Sequence, residues 1–210
     1  MKKMKKYKII ALVGEAGSGK DTILHSILKK GFNCHEIISC TTRPPREGEK
    51  EGINYYYLTV EEFENKLLND QMLEATVFNG WCYGTSYDSL DKNKVNVGVF
   101  NPAGIETLLE REDIDLRVFY IKVSDKERLL RQISREKNPN ISEIIRRYLA
   151  DKEDFSNLSF PHMTLKNETK KDLKNAVNEI LYEAGVSKAP TFWTKIIKVF
   201  KTKTKYSRES

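Results

Sequence analysis

A glycine-rich stretch near the N-terminus has the residue types and spacing of a loop that binds phosphate groups. Its glycines and lysine follow the G-x-x-x-x-G-K pattern, in which backbone N–H groups and the lysine hold the phosphates of a nucleotide. An apolar strand pattern precedes the stretch and a helical pattern follows it, which is the context that such a loop requires. The sequence therefore predicts a triphosphate site at Gly14, Glu15, Ala16, Gly17, Ser18, Gly19, Lys20, Asp21 and Thr22.

Asp21 departs from this pattern, because the residue after the lysine is usually Ser or Thr with a hydroxyl that reaches Mg²⁺. A carboxylate in the first turn of a helix is also favoured by the helix dipole, so Asp21 alone does not require a metal. The other interpretation is that Asp21 binds Mg²⁺ directly or through water, since this ion prefers oxygen ligands. Asp21 is accordingly the candidate metal ligand, and Thr22 is available one position later.

A second basic cluster lies on a proline-stiffened segment, S-C-T-T-R-P-P-R-E-G-E-K-E-G-I-N-Y, which begins at Ser39. Arg43 and Arg46 are three residues apart, and the planar guanidinium group suits bidentate binding of a phosphate. The alternative is that both arginines are ordinary surface charges. A second phosphate site beside a phosphate-binding loop indicates a phosphorylated acceptor.

These motifs resemble those of the guanylate kinase family. The family has a matching run, Ser-x-Thr-Thr-Arg-x-x-Arg-x-Gly-Glu-x-x-Gly-x-x-Tyr, and a hairpin that matches Cys82-Tyr83-Gly84-Thr85; the likeness extends from about Lys8 to Ala184. The resemblance implies ATP-dependent phosphoryl transfer to GMP or dGMP, with Mg²⁺. It implies that the acceptor phosphate is held by Arg43, Arg46, Tyr55 and Tyr83, and that guanine is read by Ser39, Glu74 and Thr85.

The chemistry of guanine supports the role implied for Glu74. A carboxylate can accept hydrogen bonds from guanine N1–H and the exocyclic amino group together. Adenine lacks both donors and would leave the carboxylate unpaired, at a cost of about 1–3 kcal/mol. The other interpretation is a solvated strand residue.

Four arginines lie on two consecutive predicted helices, at Arg131, Arg135, Arg146 and Arg147. In the family, arginines here belong to a mobile lid that closes over the transferred group, and this implies catalytic roles for Arg135 and Arg147 above all. Arg131 and Asn167 resemble positions at the ATP site. Taken singly, arginines on helices are most often solvated.

The strand after the hairpin departs from the family, which usually has two acidic residues where this chain has Val99 and Asn101. Together with Asp21, this raises the hypothesis that acidic function has moved from that strand to the phosphate-binding loop. Asn101 can still bind guanine or its ribose without charge. The choice between GMP and dGMP is therefore left open.

Alternating apolar strand and helix patterns predict an α/β fold of the P-loop NTPase type, with a parallel sheet and helices on both faces. The predicted domain is residues 8–184. It has a core (8–38, 94–123 and 156–184), a small insertion that binds the nucleoside monophosphate (39–93) and a helical lid (124–155). Strands are predicted at Tyr7–Val13, Lys94–Asn101, Leu116–Val123 and Met163–Leu165, and helices at Thr22–Lys30, Val60–Leu68, Ala103–Glu110 and Lys170–Ala184.

The charge distribution argues against a nucleic-acid partner. The net charge of +6 comes from two basic ends, since residues 9–187 are acidic overall. Three cysteines without C-x-x-C spacing favour reduced thiols in the cytoplasm. The basic start followed by an apolar run resembles a signal peptide, but the run is too short and leads into the glycine loop, so a buried first strand is expected.

The C-terminal residues 185–210 form a basic tail with amphipathic spacing. Such a pattern is typical of contact with a membrane surface or a partner protein. The other interpretation is a solvated tail.

Two alternatives to the predicted kinase remain. One is a kinase for a wider range of deoxynucleotides or for sugar phosphates on the same fold. The other is an inactive, guanylate-kinase-like module that binds proteins. Retention of Gly14, Gly19 and Lys20 argues against the inactive module.

Overall fold

The computed structural model describes residues 6–30, 32–46, 48–78, 80–135 and 137–187. Five strands form a parallel sheet in the order β2-β7-β1-β8-β9. Numbered along the chain, they are β1 (Tyr7–Val13), β2 (Cys34–Glu36), β7 (Val95–Val99), β8 (Ile114–Lys122) and β9 (Met163–Lys166). The predicted tail lies outside the described residues, except for 185–187.

The central strand β1 is buried on both faces, as its continuous apolar sequence predicts. Ile10 and Leu12 face one apolar layer, while Ile9, Ala11 and Val13 face the other. Each fully buried aliphatic side chain of this kind contributes about 1.5–3 kcal/mol to folding. The strand is therefore a rigid support for the glycine loop at its carboxyl end.

Helices cover both faces of this sheet, which confirms the predicted fold class. The first apolar layer contains residues of α1 (Lys20–Lys29) and α6 (Lys170–Glu183), and the second contains residues of α3 (Pro102–Leu109). Helix α1 begins at Lys20, two residues before the prediction, because Gly19 in the left-handed conformation precedes it directly. Strand β7 ends earlier than predicted, at Val99, because Asn101 caps α3 and Pro102 begins it.

A second sheet of four strands lies within the segment predicted as an insertion. Its order is β4-β3-β6-β5, and its strands are β3 (Cys40–Thr41), β4 (Tyr56–Tyr57), β5 (Met72–Phe78) and β6 (Trp81–Ser86). Helix α2 (Val60–Leu68) packs Phe63 against this sheet and begins at a capping box of Thr59 and Glu62. The predicted bounds of α2 are confirmed.

Helices α4 (Asp125–Ser134) and α5 (Ile141–Asp154) occupy the segment predicted as a lid. Asn140 caps α5 by accepting a hydrogen bond from the Glu143 N–H, as its position suggests. The spacing Ser124-x-x-Glu127 predicts a capping box at the start of α4, and the structure shows this prediction to be wrong. Ser124 makes no side-chain cap and donates instead to Glu168 through its N–H and hydroxyl, while Glu127 pairs with Arg131.

Among the helices of the described residues, none combines the length and the apolar character needed to cross a membrane.

Candidate active site

The phosphate-binding loop runs from Gly14 to Lys20 between β1 and α1, and its glycines are required by conformation and by space. Gly17 and Gly19 have φ values of 80° and 87°, in the left-handed region that favours glycine. A Cβ on Gly17 would lie 2.6 Å from the Arg128 carbonyl oxygen. The loop is therefore packed closely against α4, and a side chain at Gly17 would push the two apart.

Lys20 lies in the first turn of α1 and curls back over this loop. Its Nζ donates hydrogen bonds to the carbonyl oxygens of Gly14, at 2.5 Å, and Glu15, at 3.2 Å. Burial lowers the pKa of Lys20, while the nearby carboxylates of Asp21, Asp151 and Glu15 act in the opposite direction. An anion bound beside the ammonium group would further favour its charged form.

Asn167 fixes the far side of the loop from the end of β9. It is buried and donates from Nδ2 to the Ser18 carbonyl oxygen at 2.8 Å. Arg131 of α4 donates to the carbonyl oxygens of Asn167 and Glu168 and forms an ion pair with Glu127. The structure thus brings both predicted ATP-site residues to the loop, where they hold its backbone.

Asp21 is exposed in the first turn of α1, beside Lys20. The described residues contain no group of three or more His, Cys, Asp or Glu side chains able to hold a metal ion. Mg²⁺ at a nucleotide site needs fewer protein ligands, since it keeps several waters and uses one or two carboxylates together with the phosphates. The exposed carboxylate of Asp21, next to Lys20 of the phosphate-binding loop, fits a Mg²⁺ site of this kind. Thr22 is also exposed.

The predicted acceptor clamp is assembled around Arg43. This arginine is almost completely buried, and its Nη2 donates to Glu49 Oε2 at 2.9 Å and Oε1 at 3.1 Å. Its guanidinium carbon lies 5.6 Å from the centre of the Tyr55 ring, which meets the Tyr83 ring edge-on at 6.1 Å. Arg43, Tyr55 and Tyr83 therefore form one packed cluster.

Glu49 organises this clamp, a role that the sequence analysis did not assign to it. Besides binding Arg43, it accepts hydrogen bonds from the Arg46 N–H at 2.8 Å and the Tyr57 hydroxyl at 2.9 Å. Burial and the bonded carboxylate raise the pKa of Tyr57 to about 12. Glu49 stands inside the quoted motif, so its place in that motif was a signal that could have identified it.

Glu74 and Thr85 lie side by side on β5 and β6, and both are buried. Burial raises the pKa of Glu74, and Thr85 acts in the opposite direction. By standard distance and angle limits, the buried Thr85 hydroxyl has no hydrogen-bond partner among the described residues. A buried carboxylate beside a poorly bonded hydroxyl is suited to a ligand that supplies hydrogen-bond donors.

Ser39, Glu74 and Asn101 line the same cleft, of about 700 Å³. The Asn101 side chain is already engaged, because its Oδ1 accepts from the Gly104 N–H at 2.7 Å and its Nδ2 donates to Thr76 Oγ1 at 3.3 Å. Asn101 is therefore the N-terminal cap of α3 in this structure. The sequence analysis predicted only that it binds guanine or the ribose. Val99 also lines the cleft.

Two clefts meet at the phosphate-binding loop. The 700 Å³ cleft also contains Gly14 and Lys20, and a second cleft of about 400 Å³ contains Arg43, Arg46 and Arg147. Ala16 and Tyr83 line both clefts. The phosphate lysine and the acceptor clamp therefore open onto connected space.

The predicted lid arginines differ in position. Arg147 reaches the second cleft, where Glu143 accepts a hydrogen bond from its Nε at 2.7 Å. Arg146 binds the same carboxylate and lines neither cleft. Arg135 is exposed at the end of α4 and also lines neither cleft, so the structure does not bring this predicted catalytic residue to the site.

A buried ion-pair network joins the loop to both helices of the lid segment. Arg128 of α4 is fully buried and donates to the Ala16 carbonyl oxygen at 3.1 Å, Glu15 at 3.0 Å and Asp151 at 2.9 Å. The Asp151 carboxylate also accepts a hydrogen bond from the Ala16 N–H at 2.7 Å. Burial raises the pKa of Asp151, and Arg128 and the Ala16 N–H act against this.

The sequence analysis missed Arg128 and Asp151. Asp151 stands in the charged run D-K-E-D, which is the usual composition of a solvated helix face, and Arg128 stands among other charged residues of α4. No local pattern distinguishes either residue from its neighbours. The packing of α4 and α5 on the loop is what buries them.

Comparisons with known proteins agree with this geometry. A family model described as guanylate kinase matches residues 6–184. A guanylate kinase of Malacoplasma penetrans is 31% identical over 196 residues, covering 89% of this chain and 98% of that protein. A guanylate kinase of Prochlorococcus marinus is 37% identical over 131 residues, covering 60% of this chain and 70% of that protein.

The chain belongs to the guanylate kinase family. It is an enzyme of the nucleoside monophosphate kinase class. A solved structure of guanylate kinase from Anaplasma phagocytophilum is similar in fold, with a TM-score of 0.57, 22% identity, and coverage of 88% of this chain and 89% of that one. The resemblance inferred from the motifs is confirmed.

Proposed function

We propose that this protein transfers the terminal phosphoryl group of ATP to GMP or dGMP, giving ADP and the nucleoside diphosphate. The observation that carries the proposal is the connection between the two clefts. One contains Lys20 of the phosphate-binding loop, the other contains the Arg43 clamp, and Ala16 lines both. A donor phosphate at the loop and an acceptor phosphate at the clamp would therefore face each other.

The acceptor phosphate binds at the clamp of Arg43, Arg46, Tyr55 and Tyr83. Glu49 aims Arg43, so part of the ordering cost is met before the acceptor binds. Guanine enters the cleft beside Glu74, whose carboxylate accepts from its N1–H and amino group, with Thr85 and Ser39 beside it. The donors on guanine would also favour the charged form of Glu74, whose pKa burial raises.

The donor triphosphate binds along the N–H groups of residues 15–20, with Lys20 at its β- and γ-phosphates. Asp21 would hold Mg²⁺ directly or through water. When bound, the ion would neutralise part of the negative charge of the phosphates. Asn167 and Arg131 keep the loop in shape and border the adenosine side. No general base is needed, because the acceptor phosphate is already an anion at neutral pH.

Closure of the lid would bring Arg147 onto the transferred group. Arg147 already lines the clamp cleft, where its Nε donates to the Glu143 carboxylate. In this proposal residues 124–155 are the lid, residues 39–93 bind the monophosphate, and Arg135 reaches the site only when the lid moves. Closure excludes water and concentrates positive charge where negative charge develops.

The test is a coupled assay of ADP formation against a panel of nucleoside monophosphates. We expect turnover with GMP or dGMP, and a preference over AMP of about 10²-fold or more, because AMP leaves Glu74 unpaired. Glu74→Gln should narrow this preference while leaving ATP affinity unchanged. Turnover with several unrelated acceptors would favour the wider kinase, and no turnover with any acceptor would favour a binding module.

A further inference from the structure

The Asp151 carboxylate occupies a position between the two phosphate sites. It lies on α5, it lines both clefts, and its Oδ2 accepts a hydrogen bond from the Ala16 N–H at 2.7 Å. Backbone N–H groups of a phosphate-binding loop ordinarily point at phosphate oxygens. The Asp151 carboxylate thus accepts a hydrogen bond from a loop N–H group that would otherwise be available to a phosphate oxygen.

Two donors converge on the same oxygen atom. Asp151 Oδ2 is 2.7 Å from the Ala16 N and 2.9 Å from Arg128 Nη2. A phosphate oxygen at that point would accept the same two hydrogen bonds, one of them from a guanidinium group, which suits phosphate. Both anions cannot occupy the point together, because like charges at contact distance repel strongly.

Arg128 keeps its remaining partners if Asp151 leaves. Its Nε donates to the Ala16 carbonyl oxygen and its Nη1 donates to Glu15 and Asp125. Glu15 is itself held by the Tyr120 hydroxyl at 3.0 Å. The guanidinium group would therefore stay in place beside the loop, with Nη2 available to a new acceptor.

We propose that Asp151 is an internal competitor for the terminal phosphate of the donor. In the nucleotide-free enzyme it ties α5 to the loop, and on binding, the terminal phosphate takes over both of its partners, the Ala16 N–H and Arg128 Nη2. Arg128 thereby becomes a phosphate-binding residue and α5 is released for closure. This inference rests on the proposed function, because it needs ATP as the donor.

The test is the dissociation constant of ATP for the full chain, measured by calorimetry at 0.15 M salt with Mg²⁺. Asp151→Asn keeps the size of the side chain and removes its charge. We expect the variant to bind ATP about tenfold more tightly and to bind GMP less than threefold more tightly. Glu153→Gln is the matched control, because it removes one charge from the same turn of α5 outside both clefts, and it should change ATP binding less than twofold.

Each other outcome has a definite meaning. Equal or weaker ATP binding by Asp151→Asn and by Asp151→Ala would overturn the competition. The competition would also be overturned if circular dichroism showed that both variants are unfolded. The contact of Asp151 with Ala16 and Arg128 would then be required for folding. If the wild-type enzyme phosphorylates GMP or dGMP but the Asp151 variants do not bind ATP more tightly than the wild type, only this inference is refuted. A wild-type enzyme that neither binds ATP nor phosphorylates GMP or dGMP would refute the proposed function itself.

Discussion

The acceptor clamp and the phosphate-binding loop each pair an arginine with carboxylates. The two regions differ in how far apart the paired residues stand along the chain. In the clamp, Arg43 and Glu49 are six residues apart. At the loop, Glu15 and Arg128 are 113 residues apart, and Ala16 and Asp151 are 135 apart. The Arg43–Glu49 pair can therefore form within one segment, whereas the contacts of the loop depend on where α4 and α5 lie.

This difference implies that the two substrates meet different starting states. Under the proposed function, the acceptor phosphate would meet an arginine that Glu49 already holds. The donor phosphate would meet a loop whose Ala16 N–H already donates to a carboxylate of α5. Changes in the clamp should therefore act on acceptor affinity, and changes at the loop should act on donor affinity and on turnover.

The largest effect is expected at Lys20. If Lys20 lies beside the transferred phosphoryl group, as proposed, Lys20→Ala removes its charge and should lower kcat about 10³-fold, with a smaller change in acceptor KM. Lys29→Ala, an exposed lysine in the last turn of the same helix, is the control. Steady-state kinetics of both variants provide the measurement, and an equal, small loss in both would contradict the role of Lys20.

The clamp is tested next, through the carboxylate that aims it. Glu49→Gln weakens the hold on Arg43 and should raise the acceptor KM about tenfold while leaving the ATP KM unchanged. Glu51→Gln is matched to it, because Glu51 accepts from the Tyr57 N–H in the same segment without a hydrogen bond to Arg43. A parallel rise in both KM values would show that the clamp and the loop are not independent.

Replacing Asp21 should have a smaller effect, on kcat and on its dependence on Mg²⁺. If Asp21 holds Mg²⁺, Asp21→Ser should lower kcat about tenfold and weaken its dependence on Mg²⁺ concentration, because one oxygen ligand is lost. Magnesium titrations of the rate compare the variant with the wild type. Unchanged kinetics would leave Asp21 as a helix-dipole residue only.

The smallest effect is a pH dependence of stability at Glu143. Hydrogen bonds from Arg146 and Arg147 lower the pKa of Glu143 to about 2, from 4.5. Because the folded-state pKa is depressed, this stabilisation is complete above about pH 4.5 and is lost as the pH falls towards 2. The side chain is 34% exposed, so the contribution is at most about 1 kcal/mol.

Urea unfolding at pH 5 and pH 3 measures this contribution. The free energy of unfolding of Glu143→Gln should fall less between the two pH values than that of the wild type. An identical fall in both proteins would show that the Glu143 ion pairs do not stabilise the lid segment.

The sequence predicts the fold and the clamp well because both are encoded locally. The uninterrupted apolar run of β1 requires a strand buried on both faces, and the Thr59 and Glu62 capping box marks the start of α2. The arginines and tyrosines of the clamp lie within two short motifs, Ser39–Tyr55 and Cys82–Thr85. Local spacing is sufficient in each of these cases.

The loop network could not be predicted because its members come from three distant segments. Asp151 has the composition of a solvated helix face, and only the packing of α5 on the loop makes it a ligand of the Ala16 N–H. Asn101, expected at guanine or its ribose, lines the Glu74 cleft and also caps α3, a local role that the following Pro102 could have indicated. Tertiary packing, by contrast, is what places Asp151 and Arg128 at the loop.

The transfer of labelled phosphate is the most direct test of the account. The full chain is incubated with ATP labelled in its γ-phosphate, with Mg²⁺ and with GMP or dGMP in parallel reactions, and the products are separated. The account predicts that the label appears in GDP or dGDP, that Lys20→Ala lowers this transfer about 10³-fold, and that replacing the acceptor with AMP gives little labelled product. Label found only in inorganic phosphate, or no loss of ATP label at all, would contradict it.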